Sequence, residues 1–169
     1  MDVGRLTDLA YVRDEGTHVA IGALTRHASV AADPLLREHC PIVALTAGQI
    51  GDPQVRHRGT IGGTLAHGDP ASDLPATLLA LGAEVVATGK AGERVIPVTE
   101  LFTGVFETAL RPDEMLTEVR VPKLGASTGS AYLKANRRAQ DWATVAVAAL
   151  VHRDNGAIAG ASSGLVNMG

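Results

Sequence analysis

The spacing of apolar side chains divides the chain into short elements. Residues 18–23, HVAIGA, alternate and predict a strand. Thr25 or Ser29 is placed to cap a helix that ends near Asp33-Pro34, because a residue before proline is pushed out of helical geometry. Over residues 35–50, Leu35, Leu36, Ile42, Val43, Leu45 and Ile50 give an approximate helical face that Pro41 interrupts. Residues 74–81 predict an apolar helix beginning at Asp73, with Pro75 in its first turn and Gly82 past its end. Residues 83–87, AEVVA, read as a strand paired with residues 94–98 across a Gly89–Gly92 turn, and residues 99–106 as a capped turn or short helix. Residues 115–121, MLTEVRV, alternate and stop at Pro122. Residues 122–130 form a Gly/Ser-containing link, taken as a domain boundary. Beyond it lie a strand over residues 131–135 and two small-residue strands, 143–152 and 157–166, joined by Asp154-Asn155-Gly156. Asn-Gly supplies positive φ cheaply and is a strong hairpin signal.

Composition narrows the class. The 169 residues suit one domain or two small ones. Aromatic residues are only 3%, so the core has to be built from small aliphatic side chains. A net charge of −3 provides no basic field for nucleic acid or for an anionic membrane. No apolar run approaches the roughly 20 residues of a membrane span, and the polar, mixed-charge start MDVGRLTDLAYVRDEG is unlike a signal peptide. Cys40 is the single cysteine, which rules out an internal disulfide and, alone, an iron–sulfur or thiolate zinc site. A cytoplasmic protein is expected.

Residues 55–71 break the periodic pattern and read as a loop. Their centre is Gly59-Thr60-Ile61-Gly62-Gly63-Thr64. Glycines permit positive φ and let backbone N–H groups converge, an arrangement that suits phosphate oxygens, and Thr60 and Thr64 add hydroxyls. The spacing is neither that of a nucleoside-triphosphatase loop nor that of a Rossmann turn. A tight turn using glycine for geometry alone is the simpler reading of one Gly-Gly pair. His57, His67, Asp69 and Asp73 invite a metal reading, but no HExxH or cysteine pair supports it. The plainer account is a solvated loop with Asp73 as the N-cap of the next helix. Arg56 and Arg58 read either as phosphate contacts or as surface charge. On a strand, Tyr132 and Lys134 share one face, so they either meet a flavin or its phosphates or, with Arg137 and Arg138, form a solvated strand end. No G-x-S-x-G motif or other nucleophile set is present, and no catalytic side chain is assigned.

Taken in order, "IGALTRH", "GDPQVRHRGTIGGTLAHGDPASDLPA", "FTGVFETALRPDEMLTEVRVP" and "AYLKANRRAQDWATVAVAA" resemble the FAD-binding subunit of the molybdenum hydroxylases. That family includes the medium subunit of aerobic carbon monoxide dehydrogenase and a related domain of xanthine dehydrogenase. The resemblance covers nearly the whole chain, and T-I-G-G followed by S-D nine residues after the second Gly is its most specific part. It implies an α+β fold: an FAD-binding domain of the vanillyl-alcohol-oxidase (PCMH) type over residues 1–122 and a linker over 123–130. Residues 131–169 would begin a smaller domain with a three-stranded antiparallel sheet and helices. It also implies FAD as cofactor, held by two glycine loops against the pyrophosphate. One loop corresponds to Thr60, Ile61, Gly62, Gly63 and Thr64, the last standing where the family usually has Asn. Asp73 corresponds to the Asp of the S-D pair, Ile50 to a hydrophobic position ten residues before the loop, Leu116 to a leucine of the E-x-L-x-x-V-x-V-P strand and Lys134 to the lysine of Y-x-K-x-x-R-R. The other loop, of the A-G-G-x-S-L kind, is not found in this sequence, so the chain is expected to be a piece of such a subunit, truncated at both ends.

In the family the flavin passes electrons from iron–sulfur clusters to an acceptor, and the protein places and tunes the flavin. The resemblance thus implies an oxidoreductase whose partners are an iron–sulfur small subunit and a molybdopterin large subunit, each carrying its own cofactor. Two rivals remain: an assembly module that keeps the fold but holds no FAD, and a flavin-independent nucleotide-binding protein.

Overall fold

A computed structural model describes residues 3–168. After a 3-10 turn at Thr7–Leu9, β1 (Val12–Asp14) and β2 (His18–Gly22) pair antiparallel. Six helices follow: α1 (His27–Ala32), α2 (Pro34–His39), α3 (Pro41–Gly48), α4 (Pro53–Arg58), α5 (Ile61–His67) and α6 (Asp73–Leu81). The chain continues through β3 (Glu84–Gly89), β4 (Gly92–Pro97), α7 (Val98–Leu101), the small hairpin β5 (Phe102–Gly104) and β6 (Glu107–Thr108), and β7 (Met115–Pro122). It ends in β8 (Thr128–Ala135), β9 (Val145–Asp154) and β10 (Ala157–Val166). Two main sheets result. One has five strands in the order β1-β2-β7-β3-β4 and the other three in the order β10-β9-β8, with every neighbouring pair antiparallel. The fold is α+β, as the resemblance implied.

The expected helix over residues 35–50 is two helices. Pro41 has no N–H to continue the first, Cys40 leaves helical geometry at φ −143°, and Pro41 starts α3. The Asp33 carboxylate caps α2 by accepting from the N–H groups of Leu35 and Leu36. Neither Thr25 nor Ser29 caps α1; Arg26 holds that position without a side-chain bond. The Thr25 hydroxyl instead donates to the Tyr11 carbonyl and accepts from the Tyr11 N–H, tying β1 to the turn after β2.

Residues 55–71 are a larger correction, because they lie mostly in helices rather than a loop. Asp52 caps α4 through Val55 N–H, Thr60 caps α5 through Gly63 N–H, and Gly68 ends α5 at φ +66°. Helices of six and seven residues are too short to show a period in the sequence. Strand β7 departs from simple alternation: a bulge between the pairs Val86–Glu118 and Ala87–Leu116 leaves Thr117 unopposed. The bulge brings Leu116 to the buried face together with Val119 and Val121. The β9–β10 hairpin turns through Asn155 and Gly156 at φ 48° and 85°, as its sequence demands.

Helix α6 is apolar on every side because it is covered on every side. It packs against α3, against β7 of the larger sheet, and against β9 and β10 of the smaller one. The core is one continuous cluster that joins Val85 and Val119 to Leu74 and Leu78, and these to Tyr132, Ala148, Leu150 and Val166. The segment between β7 and β8 is pinned: Lys123 Nζ lies 2.6 Å from Asp14 Oδ1, and the Leu124 N–H donates to the His39 carbonyl. Among the described residues, no helix is long and apolar enough to cross a membrane.

Candidate functional site

A cavity of about 220 Å³ opens where α3, α4, α5 and the start of α6 meet the β8–β9 connection. Ile50, Gly51, Val55 and Trp142 give it apolar walls. His27, Thr64, Asp73, Lys134, Gln140 and Asp141 bring polar atoms to it.

Asp73 is the first residue of α6 and not its N-cap, which corrects the sequence expectation; Ser72 occupies the cap. The Asp73 carboxylate looks instead toward the smaller sheet, accepting from Tyr132 Oη at 2.5 Å and from Lys134 Nζ at 2.9 Å. The Lys134 and Asp73 side chains are only 4% and 5% exposed, so this is a buried ion pair. Burial and the Asp73 carboxylate push the Tyr132 phenol far above its ordinary pKa, keeping it a donor at all working pH. Lys134 Nζ also donates to the Gln49 carbonyl at 3.2 Å, and Arg56 Nη1 donates to the carbonyls of Ile50 and Gly51. These bonds fix the turn that presents Ile50 to the cavity. Arg56 is therefore a staple of that turn, whereas Arg58 and His57 are exposed.

Ile50, Thr64, Asp73 and Lys134 thus come together at one cavity. The Thr60–Gly63 stretch lies beside it on the first turn of α5, but not as a nest of free donors. The Ile61 N–H donates to the Thr25 carbonyl, the Gly62 N–H to the Ala23 carbonyl and the Gly63 N–H to Thr60 Oγ1. None of Gly59, Gly62 and Gly63 has positive φ. Gly62 is glycine for a different reason: a Cβ there would lie 2.5 Å from Ala23 Cβ and 2.8 Å from its carbonyl oxygen. Ile61 is fully buried beneath the turn, while Gly63 is exposed. Leu116 is a core residue of β7 and does not line the cavity. His67 is exposed and lies against Phe106 with the rings tilted by 48° and their centroids 5.0 Å apart, and Asp69 closes a turn by accepting from Ala71 N–H. Among the described residues, no group of His, Cys, Asp and Glu is placed to hold a metal ion.

Sequence reasoning assigned no role to His27, Gln140, Asp141 or Trp142. His27 is 2% exposed, its Nε2 is 3.1 Å from Thr64 Oγ1, and burial lowers its pKa to about 4. The blocks "IGALTRH" and "RRAQDW" contain all four residues. Only the folded chain shows that they meet.

Residues 1–124 match the family model described as the FAD binding domain in molybdopterin dehydrogenase. The chain belongs to that family. Within the molybdopterin dehydrogenase FAD-binding family, it is 40% identical over 169 residues to the carbon monoxide dehydrogenase medium chain of Afipia carboxidovorans. That alignment takes in 99% of this chain and 58% of the relative. It is 42% identical over 154 residues to the 6-hydroxypseudooxynicotine dehydrogenase complex subunit alpha of Paenarthrobacter nicotinovorans, covering 91% of this chain and 52% of that subunit. A solved structure of carbon monoxide dehydrogenase from Hydrogenophaga pseudoflava, lacking the Mo-pyranopterin moiety of its molybdenum cofactor, superposes with a TM-score of 0.95 at 40% identity. It covers 98% of this chain and 58% of that one. The chain therefore spans a little over half the length of these relatives.

The size and donors of the cavity are compatible with a part of FAD. Pockets that enclose a whole ligand of moderate size run to ~300–1,000 Å³, so this cavity has room for only a part of a dinucleotide. Its donors suit that part: an ammonium has three N–H bonds, and Lys134 uses two within the chain.

Proposed function

We propose that this chain is part of the FAD-binding medium subunit of a molybdenum hydroxylase, an oxidoreductase complex in which it carries electrons between an iron–sulfur subunit and an acceptor. The observation that carries the reading is the convergence of Ile50, Thr64, Asp73 and Lys134 on one cavity beside the Thr60–Gly63 turn. When bound, FAD supplies the electron exchange; the protein supplies position and surroundings. In this reading Thr60, Gly63 and Thr64 face the diphosphate, with Ile61 and Gly62 anchoring their turn from below. Lys134 gives its remaining N–H to the cofactor, Asp73 holds Lys134 in place, Ile50 packs on the ring system, and Leu116 supports the site from the core. Residues 1–122 form the FAD-binding unit, 123–130 the link, and 131–169 the start of the subunit's next domain. The molybdenum cofactor and the iron–sulfur clusters belong to a large and a small partner subunit, and the complex is cytoplasmic. The relatives' names support this reading, since they describe medium or alpha subunits of dehydrogenases.

The spent N–H groups of Ile61 and Gly62 favour the second reading, an assembly module that keeps the fold without FAD. Isothermal titration separates the two. In the FAD reading the full-length subunit binds FAD saturably at one site. Lys134→Met, held at a temperature where circular dichroism shows it folded, weakens binding by roughly tenfold or more, the worth of a charge-assisted hydrogen bond. No saturable binding by the folded full-length subunit would leave the assembly module.

A further inference from the structure

We propose that His27 is a positioning residue of this cavity: its Nε2–H donates to Thr64 Oγ1, which frees the Thr64 hydroxyl hydrogen for an acceptor atom of bound FAD. The inference rests on the FAD reading of the cavity and adds a residue to it.

His27 opens α1, lines the cavity and is 2% exposed. Its Nε2 lies 3.1 Å from Thr64 Oγ1, while its Nδ1 is buried with no partner among the described residues. The ring is neutral at ordinary pH, because burial holds its pKa near 4. A neutral imidazole carries one proton, on one nitrogen or the other. A proton on Nδ1 would leave a buried N–H without an acceptor, the kind of orphan that folded proteins avoid most strictly. A proton on Nε2 is donated to Thr64 and leaves only a lone pair unpaired. The structure therefore favours the Nε2–H form.

Thr64 then accepts, and its own hydrogen is available. A helical threonine commonly turns its hydroxyl back to the carbonyl four residues earlier. Here, among the described residues, the Thr64 hydroxyl makes no such bond to the Thr60 carbonyl, and its oxygen sits on His27 instead.

The surroundings are built for this contact. A Cβ at Gly59 would lie 2.7 Å from His27 Cδ2 and 2.9 Å from Nε2, so glycine is what lets that edge of the ring reach Thr64. An antiparallel bridge between Arg26 and Thr60 holds the two segments in register, with the His27 N–H donating to the Gly59 carbonyl at 3.0 Å.

Nitrogen NMR on the ¹⁵N-labelled chain reads the tautomer directly. The expected result is a pyrrole-type Nε2 and a pyridine-type Nδ1 for His27. FAD affinity of the full-length subunit, measured by quenching of flavin fluorescence, should fall about threefold to tenfold in His27→Leu, the range of one neutral hydrogen bond. It should return in His27→Gln, whose amide N–H reaches the same oxygen. In a Thr64→Val background, His27→Leu should cost nothing further. A pyrrole-type Nδ1, or an equal loss in both backgrounds, overturns the inference while leaving FAD binding intact. A folded wild-type full-length subunit that binds no FAD overturns the flavin half together with the reading above, and the tautomer still decides the contact with Thr64.

Discussion

The Asp73 carboxylate has one oxygen on Tyr132 and the other on Lys134, and both lysine and aspartate are nearly sealed from water. Taking such a pair out of water costs several kcal/mol, and only good geometry recovers it. Removing one partner leaves the other buried and uncompensated, at a cost of about 3–5 kcal/mol. Lys134→Met is therefore expected to lower stability by that amount in urea unfolding. Tyr132→Phe, which removes one bond to a charged acceptor, should cost about 1.5–3 kcal/mol. A loss below ~1 kcal/mol in Lys134→Met would mean that water reaches the pair. Little of this was legible in the sequence. The two-residue spacing of Tyr132 and Lys134 correctly put them on one face, since both meet Asp73. Their partner lies about sixty residues earlier, where periodicity says nothing, and the sequence made Asp73 a cap. His27 was equally hidden, because burial and a lone contact with Thr64 are tertiary facts.

At the scale of elements, α5 shows how a correct motif can carry a wrong local structure. Glycines at 62 and 63 suggested an open loop with left-handed backbone, yet both lie in the first turn of a helix capped by Thr60. The two differ in what surrounds them. A Cβ at Gly62 would press on Ala23 at 2.5 Å, in a buried seam between α5 and the turn after β2. A Cβ at Gly63 would meet only Thr60 Oγ1, at 2.8 Å, on an exposed face. Gly62→Ala is expected to destabilise by about 1–3 kcal/mol through overpacking. Gly63→Ala gains roughly 1 kcal/mol of helix propensity and loses about as much capping, ending near neutral. Thermal melts of the two variants test this, and a costly Gly63→Ala beside a neutral Gly62→Ala would invert the packing account. Elements with strong local signals were legible: the β9–β10 hairpin from Asn155-Gly156, the β3–β4 pair from its glycines, and α6 from its apolar run ending at Gly82. The short helices α4 and α5 and the bulge at Thr117 were not, because two turns are too few for a period and a bulge is set by the neighbouring strand.

Across the whole molecule, α6 is the shared wall between the five-stranded and three-stranded sheets, and the way β10 meets it decides whether the two halves unfold together. Gly164 makes the closest approach: a Cβ there would run into the carbonyl oxygen of Ala76, with the Ala76 carbonyl carbon at 2.7 Å and its Cα at 3.0 Å. The obstacle is helix backbone, which cannot swing aside as a side chain does. Two bonds flank the contact: Ser162 Oγ donates to the Ala80 carbonyl at 2.6 Å and the Asn167 N–H to the Pro70 carbonyl at 3.1 Å. Relieving the clash in Gly164→Ala would pull β10 away from both. Trp142 is the single tryptophan and sits in the β8–β9 connection, so its fluorescence reports on the smaller sheet. Far-UV circular dichroism reports chiefly on the helices, α6 among them, which pack on both sheets. With one continuous core, the two signals should change together in urea for the wild type. In Gly164→Ala the Trp142 transition should move to lower urea by more than the helical signal does, with a total loss of at least the ~1–3 kcal/mol of ordinary overpacking. If both transitions stay coincident and unshifted, β10 relaxes past α6 at no cost, and the smaller sheet is held by the Asp73–Lys134–Tyr132 bridge rather than by the fit of Gly164 on the helix.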